Sequence, residues 1–196
     1  MDIRVTPTAI EGVLVIEPDC FRDERGFFME SYHQKTFLNH GLDLSFVQDN
    51  HSRSGAGVLR GFHYQDARAP QYRLVRCTVG EICDVVVDLR MDSQTFGQHL
   101  AFNLSAENRH QLLIPPEFAH GFLVLSDVAE VQYKCTGHHV PAAERSLAWN
   151  DPDVGVPWPI STPIVSSRDR CAPSLREYRA NPAFGSLVAV AATRVS

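Results

Sequence analysis

A chain of 196 residues with 44% hydrophobic and 21% charged side chains has the apolar content of a folded core and too much of it for a disordered chain. Its formal net charge of −5 argues against nonspecific binding to nucleic acid or to an anionic membrane surface. No apolar run approaches the roughly 20 residues needed to span a bilayer. The start Met1-Asp2-Ile3-Arg4-Val5-Thr6-Pro7 has neither a basic n-region nor an apolar h-region, so a cytoplasmic protein is expected. Cys20, Cys77, Cys83, Cys135 and Cys171 are odd in number and form no C-x-x-C pair. They read as reduced, mostly buried thiols rather than as a disulfide framework or a zinc knuckle. Lys35 and Lys134 are the only lysines among 18 basic residues. Most of the arginines read as codon composition of the source genome, but the guanidinium fork also suits phosphate, so a few are candidate ligands.

Along the chain, short strand-like runs alternate with turn residues, the pattern of an all-β sandwich or barrel. Val13 to Ile16 is apolar and ends near Pro18, and Gly26 to Tyr32 follows the turn-like Asp23-Glu24-Arg25. His33 to Asn39 predicts a short helix stopped by Gly41. Arg73 to Val79, Gly80-Glu81 and Ile82 to Leu89 predict a hairpin or a sharply bent strand pair. His99 to Leu104, Gln111 to Ile114, Gly121 to Leu125 and Ala129 to Thr136 complete the strand candidates. Neither a repeat nor a shift in composition marks a boundary, so residues 1–196 are expected to form a single domain, with 180–196 a surface tail or an added strand.

The run Gly57-Val58-Leu59-Arg60-Gly61-Phe62-His63-Tyr64-Gln65 is the most informative segment. Period-two alternation puts Leu59, Gly61, His63 and Gln65 on one face, and Val131, Tyr133 and Cys135 on one face of a later strand. A single histidine in a strand is more often structural than catalytic. The glycine-flanked position of His63 between Arg60 and Gln65 raises the catalytic reading: a cation for an anionic ligand beside a proton-transfer group. Tyr133 alone reads as core with its hydroxyl tied off, and His120, after Pro115-Pro116, as a turn residue or a second wall of the site. Metal-binding cupins show H-x-H, but position 65 is Gln here, and His138-His139 point to opposite faces of a strand. Metal is therefore the weaker reading. No G-x-G-x-x-G after a strand, no P-loop and no G-x-S-x-G is present.

Asp23-Glu24-Arg25-Gly26-Phe27-Phe28, Gln48-Asp49-Asn50-His51-Ser52, Gly57 to Gln65, Gly80 to Arg90, Ala119-His120-Gly121-Phe122 and Asn150-Asp151-Pro152-Asp153 together resemble the dTDP-4-dehydrorhamnose 3,5-epimerase family, in its order and near its spacing. The resemblance implies an all-β, cupin-type jelly-roll barrel with short peripheral helices, free of metal and cofactor. It also implies a homodimer, with a nucleoside-diphosphate 4-keto-6-deoxyhexose as substrate. The C4 ketone of such a sugar acidifies the hydrogens on C3 and C5, because loss of either gives an enolate. By resemblance His63 matches the family's base, Asp169 the carboxylate that orients it, and Tyr133 the acid that returns a proton to the opposite face. Arg73 stands where the family has a lysine near the enolate oxygen. Arg25, Arg60, Arg168 and His120 match substrate-contacting positions, with Arg25 and Arg60 the candidates for the diphosphate. Glu30, Gln48, Asn50 and Glu144 match further sugar or nucleotide contacts. His139 replaces the aromatic residue that stacks on thymine, which leaves dTDP, CDP and GDP open, as it leaves open inversion at C3, C5 or both. The competing readings are a metal-dependent cupin oxygenase or isomerase and a noncatalytic sugar-binding jelly roll.

Overall fold

A computed structural model of the chain describes residues 1–184. The first strands are β1 (Ile3–Pro7), β2 (Leu14–Pro18), β3 (Cys20–Asp23) and β4 (Gly26–Met29), followed by the short helix α1 (Gln34–Asn39). Next come β5 (Gln48–Gly55), β6 (Leu59–Gln65), β7 (Arg73–Val79), β8 (Glu81–Asp88), β9 (His99–Ser105) and β10 (Gln111–Ile114). β11 (Phe118–Val124), β12 (Val128–Cys135), β13 (Glu144–Ser146), α2 (Ser167–Arg170) and α3 (Leu175–Ala180) complete the order. A six-stranded sheet, β1-β2-β10-β7-β12-β5, faces a five-stranded sheet, β13-β6-β11-β8-β9, and β3-β4 is a separate hairpin. All paired strands are antiparallel, and the two sheets make a cupin-type jelly roll.

Period-two alternation explains the layers. From the six-stranded sheet Val75, Cys77, Leu112, Ile114 and Val131 point inward, and from the five-stranded sheet Ile82, Val86, Phe118, Phe122 and Val124 meet them. The alternate residues of the five-stranded sheet, Phe62, Tyr64, Val85 and Val87, form a second core on its outer face with Leu175, Tyr178 and Phe184. Outside the six-stranded sheet, Ile16, Leu74 and Leu113 are covered by Phe37 of α1. That helix begins where the His33 ring nitrogen accepts the Thr36 N–H, and ends at Gly41, whose φ of +78° only glycine adopts without strain.

β7 and β8 are the sharply bent pair and not a hairpin: β7 pairs with β10 and β12, and β8 with β9 and β11. The chain turns from one sheet to the other at Gly80, where a Cβ would collide with the Val128 carbonyl and the Ser126 hydroxyl. In β6 an extra residue interrupts the pairing with β11 between His63 and Arg60. This bulge resets the alternation, so Leu59, opposite Leu123, leaves the face predicted for it, and Arg60 takes a place beside His63 and Gln65. The bulge fits because Gly61 lies against Gly121, whose Cα stands 2.5 Å from where a Gly61 Cβ would be. Of the stretch expected to be a surface tail or added strand, Ala180 ends α3 and Phe184 is buried against Tyr64. Residues 185–196 lie outside the described residues. Among the described residues no helix is long and apolar enough to cross a membrane.

Candidate active site

The two sheets part at one end of the barrel around a cavity of about 400 Å³. Arg60, His63 and Gln65 of β6 and His120 of β11 enter from the five-stranded sheet. Gln48, Asn50 and Ser52 of β5, Arg73 of β7, and Tyr133 and Cys135 of β12 enter from the six-stranded sheet. His139 and Glu144 stand on the wall between β12 and β13.

His63 Nε2 lies 2.6 Å from Asp169 Oδ1. Asp169 sits in α2, capped by the Ser166 hydroxyl, and is almost wholly buried. Burial pushes its carboxyl up, but hydrogen bonds from His63, Ser166 and the Gly61 N–H outweigh that and hold it below the ordinary value, so it is ionised at neutral pH. An ionised carboxylate only accepts. His63 therefore donates Nε2–H to it, the tautomer whose neutral form has its lone pair on Nδ1. Arg73 Nη1 donates to the His63 carbonyl at 3.0 Å and braces the same residue from the other sheet. Burial lowers the Arg73 pKa, opposed by Cys135, Tyr133, Glu144 and Asp84, and a guanidinium stays charged at neutral pH regardless. Burial raises the Tyr133 phenol, opposed by the Arg73 charge, so the hydroxyl keeps its proton well past neutrality.

The remaining expected residues divide into three groups. Arg60 is in the cavity, with Nε donating to Ser54 Oγ at 3.0 Å. Gln48 and Asn50 bond each other, and Gln48 Oε1 accepts the His139 N–H at 2.9 Å. Arg168 reaches the site through Glu144, which it meets at 2.7 Å while its Nε donates to Ser146; His139 Nε2 lies 3.5 Å from the other Glu144 oxygen. Burial pushes Glu144 up, yet Arg168 and His139 together hold it below its usual value. Arg25 and Glu30 are not brought to this cavity. Arg25 is at the tip of the β3-β4 hairpin, paired with Asp23 and exposed, and Glu30 follows β4.

Asp84 is a candidate site residue that the sequence did not single out. It is wholly buried on β8 and takes His120 Nε2 on both oxygens, at 3.0 and 2.8 Å. Its signal was a carboxylate on the inward face of an apolar strand, between Ile82 and Val86. Among the described residues no group of three or more His, Cys, Asp or Glu is arranged to hold a metal ion. His63 and His120 are each bonded to a separate carboxylate, Asp169 and Asp84. The Gln65 amide is spent on the backbone of Ala69, His138 and Val140.

A jelly roll with this cavity has close relatives. A family profile described as dTDP-4-dehydrorhamnose 3,5-epimerase matches residues 7–177. The dTDP-4-dehydrorhamnose 3,5-epimerase of Salmonella typhimurium is 53% identical over 173 residues, covering 87% of this chain and 94% of its own. The dTDP-4-dehydrorhamnose 3-epimerase of Streptomyces niveus is 38% identical over 178 residues, covering 90% of this chain and 86% of its own. Among solved structures, the dTDP-6-deoxy-D-glucose-3,5-epimerase of Legionella pneumophila, in complex with dTDP-4-keto-L-rhamnose, superposes with a TM-score of 0.89 at 42% identity, over 95% of this chain and 100% of its own. With the profile spanning most of the barrel and half the residues shared with a full-length relative, the chain belongs to the dTDP-4-dehydrorhamnose 3,5-epimerase family.

Proposed function

We propose that the chain epimerises a dTDP-linked 4-keto-6-deoxyhexose at both C3 and C5. The observation that carries this reading is an oriented imidazole on one sheet facing a protonated phenol on the other across one cavity. His63 Nδ1 takes the proton from C3 or C5, and the C–H electron pair moves into the ring so that the ketone becomes an enolate at the C4 oxygen. Asp169 stabilises the imidazolium that forms. Arg73 offers a fixed positive charge to the enolate oxygen. Tyr133 then delivers its hydroxyl proton to the opposite face of the carbon, inverting it, and solvent resets the imidazolium and the tyrosinate. Arg60 serves the diphosphate, His120, Gln48, Asn50, Glu144 and Arg168 the sugar and nucleotide, and His139 the base. The higher identity to the 3,5-epimerase than to the 3-epimerase supports inversion at both centres.

The reading includes a homodimer. Phe21, Phe27 and Phe28 are all more than half exposed on the β3-β4 hairpin, an apolar ridge that a second copy would cover. Arg25 and Glu30 lie on or beside that hairpin, so Arg25 of the partner subunit is the candidate for the diphosphate contact of each cavity. A nucleotide-sugar substrate is consistent with a cytoplasmic enzyme.

The test is proton NMR of the pure protein with dTDP-4-keto-6-deoxyglucose in deuterated water. Loss of both the C3 and C5 hydrogens is expected. Loss of one alone would reassign the chain to a single-centre epimerase, and loss of neither would overturn the dTDP assignment. Sedimentation at micromolar concentration tests the dimer, which a monomer would overturn.

A further inference from the structure

The amides of the cavity wall are spoken for, with one exception. Gln48 bonds Asn50 and the His139 N–H, Asn50 donates to Cys135 Sγ, and Gln65 ties down the backbone at both ends of its amide. Gln71 lines the same cavity, yet its Oε1 is shielded and has no hydrogen-bond partner among the described residues. Buried polar atoms without partners are uncommon because the lost water is not replaced, so each one calls for an explanation. The other such atom among the described residues, Arg109 Nε, belongs to a guanidinium over the Phe27 ring and not to the cavity.

The backbone beside Gln71 is held in place. The next residue, Tyr72, exchanges backbone contacts with Thr136, its N–H donating to Thr136 Oγ1 and its carbonyl accepting the Thr136 N–H. Gly137 packs so closely that a Cβ there would lie 3.4 Å from the Gln71 Cβ and 3.7 Å from Oε1. The backbone there is fixed but the amide is not: turning the side chain about its own torsions brings the shielded, unpaired Oε1 out to the cavity, where a donor on the substrate can meet it. On a nucleotide sugar the donors are the sugar hydroxyls and the N–H of the base. The diphosphate offers only acceptors.

We propose that Gln71 is a substrate-contacting residue whose Oε1 accepts a hydrogen bond from an O–H or N–H of the bound nucleotide sugar. This rests on the epimerase reading above. It predicts opposite effects on folding and on binding, which a packing role does not. Gln71→Met keeps the volume and removes the acceptor, so the empty protein should melt at the same temperature or higher, while KM rises about three- to tenfold with kcat nearly unchanged. Gln71→Asn withdraws the amide by one methylene and should weaken binding in the same sense.

Calorimetry with dTDP and with dTDP-glucose, on wild type and both variants, locates the donor. Equal weakening of both ligands assigns it to the nucleoside, through the base N–H or the deoxyribose hydroxyl, and weakening of dTDP-glucose alone assigns it to a hydroxyl of the hexose; either supports the proposal. Unchanged affinity for both ligands, or a lowered melting temperature in Gln71→Met, overturns it. A wild type that neither binds dTDP-glucose nor exchanges substrate hydrogens would instead remove the epimerase reading itself.

Discussion

The two walls of the cavity are built from the same kind of strand but carry different chemistry. On the five-stranded sheet, His63 and His120 are direct cross-strand partners, and each ring is bonded to a buried carboxylate. Asp169 comes from a helix outside the sheet, Asp84 from the neighbouring strand. On the six-stranded sheet, Tyr133 and Arg73 come from adjacent strands, and no carboxylate is bonded to either side chain among the described residues. One wall therefore holds imidazoles each hydrogen-bonded to a carboxylate, and the other a phenol that burial keeps protonated beside a fixed cation. Inverting a carbon needs a base on one side and an acid on the other, and in the proposed reaction a flattened sugar between the two sheets would meet one from each.

The sharpest way to break this comparison is to remove the base. His63→Ala should lower hydrogen exchange at C3 and C5 about a thousandfold or more, with the fold unchanged, as followed by NMR in deuterated water and by circular dichroism. Retained exchange at either centre would mean that a second base serves it, with His120 the first to examine. Asp169→Asn should cost about a hundredfold or more, because an amide can donate to Nε2 and stabilise the tautomer with its proton on Nδ1, toward the substrate. It also removes a carboxyl whose folded-state pKa is depressed. That group's contribution to stability is present above its ordinary value near 3.8 and is lost as pH falls through the lower folded value. Acid melts of wild type and variant should therefore converge as pH falls.

Tyr133→Phe removes the other wall's function. Exchange should persist, since His63 can return its own proton to the face it came from, while net inversion falls about a hundredfold. Chiral analysis of the product alongside deuterium incorporation separates the two, and inversion at the normal rate would assign the acid elsewhere. For the wild type, the raised phenol predicts that inversion holds on the alkaline side beyond the ordinary tyrosine value near 10 before it falls.

The strands that were legible in the sequence are those with an apolar face, such as β7, β8 and β12, where alternation between core and outer layer is written in Val, Leu and Ile. β5 was not, because its inward residues are Gln48, Asn50, Ser52 and Ser54: the cavity demands polar side chains where a core would demand apolar ones. That Arg60 shares the cavity face with His63 does not follow from alternation, since a bulge changes it and period-two reasoning cannot see it. Alternation put His63 and Tyr133 on strand faces, but grouping them with Asp169 as one candidate site came from the motifs. Asp169 lies 106 residues from His63, and the distance between them is a property of the fold alone. Asp84 was visible as an inward carboxylate on an apolar strand, a signal that needed only to be asked of every strand.

That missed residue gives a smaller test of the same comparison. If the two dyads differ in role, with His120 binding and His63 reacting, Asp84→Asn should lower kcat/KM about tenfold and act mainly on KM, against the kcat effect of Asp169→Asn. Equal losses in kcat would make the dyads equivalent and place a base at each.

The smallest effect is expected at Arg73. Its Nη1 braces the His63 carbonyl, and it lines the cavity in which the proposed enolate oxygen would form. Arg73→Lys keeps the charge but offers one compact ammonium in place of a planar fork, so it can serve the brace or the enolate, and not both with the same geometry. If charge is what matters, kcat falls about threefold and the melting temperature drops slightly, whereas Arg73→Ala loses far more. A Lys variant as inactive as the Ala variant would show that the brace on His63 governs the rate. The six-stranded wall would then act by positioning the base of the opposite wall as well as by donating the proton.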